Sequence, residues 1–174
     1  MRHRLLLCLL PFAAACGEEP PPTSFIALQR DFQAFPTWET FRLRPEPDGE
    51  SLHAGGERDL YLSQRPRRGS AGFPVGTIIV KHADGAGTPD GPRTYAMVKR
   101  GGDYNLEGAA NWEWFELVPS ELNPSNWLIT WRGLGPPIGA EYGNTGQTCN
   151  DCHALAREND FVKAPVLGLR AVSR

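Results

Sequence analysis

Pro74-Val75-Gly76-Thr77-Ile78-Ile79-Val80-Lys81 is the stretch that decides the fold. Pro74 and Gly76 set a turn, and residues 77–80 after it are all β-branched, which suits a pleated strand better than a helix. Alternation puts Thr77, Ile79 and Lys81 on one face and Ile78, Val80 and His82 on the other. Thr94-Tyr95-Ala96-Met97-Val98 predicts a second strand and Trp127-Leu128-Ile129-Thr130-Trp131 a further one. Between them residues 112–117 alternate, with Trp112, Trp114 and Glu116 on one side and Glu113, Phe115 and Leu117 on the other. Residues 82–92 (HADGAGTPDGP) and Gly101-Gly102-Asp103 are turn-forming connections. Helix is expected only over residues 26–35, 38–43 and 149–158. The expected class is mainly β (α+β): an antiparallel sheet with a few short helices.

Composition agrees with that class. A chain of 174 residues is one domain's worth, and 19 Gly with 16 Pro favour many turns over a long coiled coil or bundle. Five Trp and eight Phe supply large apolar area for a core. The formal charge of −2 gives no basic field to draw the chain to nucleic acid.

The N-terminus reads as a targeting segment. Met1-Arg2-His3-Arg4 is a positive start, followed by an apolar run over residues 5–15. That run falls short of the ~20 residues a membrane span requires, but it suits a signal peptide. It ends in Ala13-Ala14-Ala15-Cys16-Gly17, which resembles the bacterial lipobox, in which cleavage precedes a cysteine that then carries lipid. Cys16 is the expected lipidation site; the alternative is an ordinary secretory signal cleaved near Ala15. The expected organisation is a lipoprotein signal over 1–15, a lipidated cysteine and Pro-rich tether over 16–24, and one domain over 25–174. The expected location is the periplasmic side of a bacterial cell envelope, anchored to a membrane by lipid.

Cys149-Asn150-Asp151-Cys152-His153 is the attachment signature for c-type haem. On a helix these Cys and His positions are i, i+3 and i+4, so their side chains share a face. Two thiols can then add to the haem vinyl groups while the imidazole reaches the iron. Thr148 is the expected N-cap, with Asp151 well placed in the first turn. Two other chemistries use such cysteines. A thioredoxin-like redox pair requires a βαβ setting, which the Gly- and Pro-rich residues 133–146 do not supply. Structural zinc requires four ligands, with His53 and His82 as the further histidine candidates.

Taken in order, Phe73-Pro74-Val75-Gly76-Thr77-Ile78-Ile79-Val80-Lys81, Ala96-Met97-Val98-Lys99, Asn111-Trp112-Glu113-Trp114, the CxxCH segment and Asn159-Asp160-Phe161-Val162 resemble the cytochrome P-460 family. The resemblance implies a mainly β, dimeric protein with one covalent haem c. It implies His153 as proximal iron ligand, an open distal side, and Lys81 cross-linked to the haem macrocycle. It further implies oxidation of hydroxylamine, with nitric oxide as a participant and a redox partner as electron acceptor. Cytochrome c′-beta, a relative of the same fold, lacks the cross-link and binds nitric oxide and similar gases. Without the resemblance, Lys81 reads as a strand-end lysine.

Other residues have weaker claims on the site. Met97 could complete a His/Met electron carrier, although its neighbours suit a buried strand position. Glu141 and Asn144, just before the haem motif, are low-ranked candidates for proton transfer to a distal ligand. Trp112, Trp114, Trp127 and Trp131 are either cavity lining or ordinary core. Arg93, Lys99 and Arg132 are either partners of haem propionates or solvated surface charge. Three functions follow: redox enzyme, gas-binding module or electron carrier.

Overall fold

The computed structural model describes residues 24–43, 57–85, 91–139 and 148–173. Six antiparallel strands pair in chain order as a meander: β1 (Glu39–Leu43), β2 (Arg58–Leu62), β3 (Ile78–Ala83), β4 (Arg93–Lys99), β5 (Trp112–Pro119) and β6 (Trp127–Gly133). The four strands read from sequence are β3 to β6, and the protein is mainly β with a few short helices.

Both sheet faces are covered, which explains why β3 to β5 carry apolar side chains in both directions. On one face Ile78, Val80, Ala96, Val98, Phe115 and Leu117 pack under the N-terminal segment through Ala27, Phe32 and Phe35. On the other, Leu60, Leu62, Ile79, Met97, Trp112 and Trp114 pack under the C-terminal segment through Phe161, Val162, Leu167 and Val172. The register sets Ile79 opposite Met97 and Met97 opposite Trp114, so the second core crosses three strands.

Three local expectations change. Residues 38–43 do not form a helix: 39–43 are β1, paired with β2 from Glu39 opposite Leu62 to Leu43 opposite Arg58. Phe41 and Leu43 are two residues apart and meet the same core, which is a strand period. β2 had no expectation attached; its five residues alternate between buried and half-buried. The N-terminal segment is tighter than an α-helix, with 3-10 turns at Gln29–Phe32 and Phe35–Thr37 that Pro36 helps to start. The expected helix over 149–158 is α-helical only as α1 (Cys149–His153). It tightens to a 3-10 helix over Ala154–Asn159, kinked at Ala156, and a last helical turn, α2, spans Leu169–Val172.

A bulge between β5 and β6 affects side-chain placement. Glu116 faces Trp131 but Leu117 faces Ile129, so Thr130 is an extra residue in β6. Trp127 and Ile129 consequently pack on the N-terminal core and Trp131 on the C-terminal core.

Candidate functional site

Helix α1 is fastened at its start. Thr148 Oγ1 accepts from the Asp151 N–H at 3.3 Å, and the Asp151 carboxylate accepts from the Thr148 N–H at 3.0 Å, a reciprocal capping box. These bonds from Thr148 hold the Asp151 carboxyl below its usual range. Asn150, inside the motif, is buried. Its Oδ1 accepts from the Ala109 N–H at 2.9 Å and its Nδ2 donates to the Glu107 carbonyl at 3.3 Å. Gly108 permits this approach, since a Cβ there would lie 2.1 Å from Asn150 Nδ2. Sequence reasoning passed over Asn150, whose partners lie about forty residues earlier.

The Cys149 and His153 side chains face the C-terminal core. Cys149 packs against that cluster, and burial pushes its thiol up to about 11, against a lowering pull from the Lys81 charge. Cys152 accepts from Lys163 Nζ at 3.2 Å on the exposed side. The His153 ring meets Trp114 edge-on at 5.7 Å. Its Nδ1 lies 2.8 Å from the Phe161 carbonyl oxygen. A carbonyl can only accept, so Nδ1 carries the proton and Nε2 is left as the nitrogen with a free lone pair. Burial brings the imidazole down to about 4, with the Lys81 and Lys163 charges adding to the effect, so it is neutral at pH 7.

Lys81 lies on this same face, on β3 opposite Leu60 and Tyr95, with its Nζ screened from solvent. Its charge reaches both Cys149 and His153. Met97, Trp112, Trp114 and Trp131 share the face, and Met97 is packed within the core. Trp114 is only 4% exposed, and its indole N–H has no hydrogen-bond partner among the described residues. His82 is on the opposite face, with Nδ1 2.8 Å from Thr94 Oγ1 and its ring against Trp127.

The three cations considered for propionates all have internal partners. Arg132 is on the N-terminal side, where it forks onto buried Glu113 with two contacts of 2.7 Å. Lys99 pairs with Asp160 at 2.5 Å, and Arg93 with Glu116 at 3.5 Å. Cys16, His53, Glu141 and Asn144 lie outside the described residues.

The setting bears on the other chemistries of a CxxC pair. Among the described residues the sheet is antiparallel throughout, with no βαβ unit beside α1. A thiol pushed up by burial is the reverse of the activated nucleophile that redox pairs use. Among the described residues no three His, Cys, Asp or Glu side chains are grouped to hold a metal ion, nor is any helix long and apolar enough to cross a membrane. Comparison with protein-family models, with curated proteins and with solved structures found no match.

Proposed function

We propose that the chain is an exported mono-haem c-type protein of the cytochrome P-460 kind, lipid-anchored through Cys16, that performs redox chemistry on hydroxylamine or nitric oxide. The observation that carries this proposal is His153. It is half-buried and neutral, and its proton is committed to the Phe161 carbonyl, so Nε2 keeps the lone pair of a ligand on the same helix that bears Cys149 and Cys152. The i, i+3, i+4 placement suits two thioethers and one axial ligand on one haem. The Trp114 N–H beside His153, without a partner among the described residues, fits a face able to receive a further group.

A haem bound there would supply redox chemistry suited to a small nitrogen compound, given an external electron acceptor. The protein residues do the rest. Cys149 and Cys152 would hold the macrocycle, and His153 would hold the iron. Phe161 keeps the imidazole proton on Nδ1, while Trp112, Trp114 and Met97 exclude water from that side. Lys81, on the same face and electrostatically coupled to Cys149 and His153, is the residue assigned to the macrocycle cross-link.

The test is the absorption spectrum of the ferrous protein, expressed with periplasmic haem-attachment machinery. A Soret band far to the red of an ordinary c-type haem, lost in Lys81→Arg, is the expected result. An ordinary c-type spectrum would remove the cross-link and turn the assignment towards gas binding or electron transfer. Absence of covalent haem would overturn the proposal.

A further inference from the structure

Residues 159–162 contain an unusual turn. Asp160 and Phe161 both have left-handed backbones, at φ 49° and 67°. An aspartate tolerates that region, but a phenylalanine there costs on the order of 1–3 kcal/mol and persists only where its surroundings hold it. The turn aims the Phe161 carbonyl at His153 Nδ1, 2.8 Å away.

Asp160 is what holds it. The side chain is 9% exposed, with one carboxylate oxygen 2.5 Å from Lys99 Nζ and the other accepting from the Phe73 N–H at 2.8 Å. Its backbone carbonyl accepts from the Trp112 indole N–H, also at 2.8 Å. Gly72 leaves the room: a Cβ there would lie 2.7 Å from the carboxylate. Lys99 Nζ also lies 5.1 Å from the Trp112 ring centre. Three strands or loops, far apart in sequence, thus clamp one residue whose neighbour holds the imidazole.

We infer that the Lys99–Asp160 ion pair is a positioning device for His153, tuning its strength as an iron ligand through the Phe161 carbonyl. The inference rests on the haem assignment above. Hydrogen bonding at Nδ1 makes an axial imidazole a stronger donor, which favours ferric over ferrous iron and stiffens the iron–nitrogen bond. Asp160→Asn keeps the size, the left-handed tolerance and an acceptor, but removes the charge that holds Lys99. Lys99→Met removes the other partner, and Lys99→Arg restores it.

The experiment measures the iron–histidine stretching frequency of the ferrous protein by resonance Raman, together with the haem reduction potential. It uses the haem-loaded full chain and the three variants. In Asp160→Asn and Lys99→Met the stretch is expected to fall. The potential should rise by about 59 mV, a tenfold change in the ferrous-to-ferric ratio for one electron. Lys99→Arg should lie close to the parent. A purely structural role would lower the unfolding temperature and leave both readouts where they were, and that result overturns the inference. If the parent chain carries no covalent haem, the haem assignment fails first and takes this inference with it.

Discussion

The N-terminal face of the sheet buries Phe32, Phe35 and Phe115 around one ionic group, in which Glu113, 3% exposed, is gripped by Arg100 and Arg132. The C-terminal face buries Trp112 and Trp114 and carries the His153 imidazole, the Cys149 thiol and the Lys81 charge. On the first face the buried carboxylate is answered from two sides, so the polar group serves the fold. On the second, Trp114 Nε1 has no partner among the described residues and His153 Nε2 retains its lone pair. On the proposed haem assignment, the first face closes on itself and the second would receive a further group.

The sharpest way to break that comparison is to remove both thiols. Cys149→Ala with Cys152→Ala should abolish covalent haem entirely, as read by haem staining after denaturing electrophoresis, while the sheet still unfolds cooperatively. Phe115→Ala should do the opposite, costing about 3–5 kcal/mol in denaturant unfolding and leaving the haem spectrum unchanged. Acid should act through the C-terminal face. His153 goes from 6.5 to about 4 on folding, so the unfolded chain binds its proton first. Stability in the haem-free double-alanine chain is then full above about pH 6.5 and falls as pH drops toward 4, by at most about 3 kcal/mol. His153→Gln in that background should remove this part of the pH dependence.

The remaining effects are smaller. Glu113→Gln leaves two half-exposed arginines without their counter-charge and should cost about 1–3 kcal/mol, with no spectral change. Met97→Leu should cost under about 1.5 kcal/mol and leave the iron coordination as it was. Changed coordination in that variant would instead revive a His/Met electron carrier.

Strands β3 to β6 were legible because β-branched, aromatic and other apolar residues are concentrated over four or more consecutive positions bounded by turn-forming residues. β1 was not, since Trp38, Phe41 and Leu43 within a short window fit a helical spacing about as well as a strand. Only pairing with β2 decides between them. At the site, the helical face of residues 149, 152 and 153 was legible because the ligands are neighbours in sequence. The supports of His153 were not. Asp160 reaches Lys99 across 61 residues and Phe73 across 87, separations over which no local pattern carries information. The short strings quoted from the sequence do, however, contain Phe73, Lys99 and Trp112, which the fold brings together around the carboxylate and backbone carbonyl of Asp160.

Thr130, the extra residue in β6, makes that strand a text read in two frames. Up to Ile129 its tryptophan and isoleucine serve the N-terminal core; after Thr130 the parity reverses, sending Trp131 to the other layer and Arg132 back to Glu113. Pairing Thr130 in regular register, with no bulge, would restore perfect alternation along the unchanged sequence and exchange those two side chains between layers. A tryptophan would then occupy the place of the ion pair, and a cation would enter the face that holds the histidine. Regularity of the pleat and correct partition of chemistry between the two layers are thus incompatible in this strand.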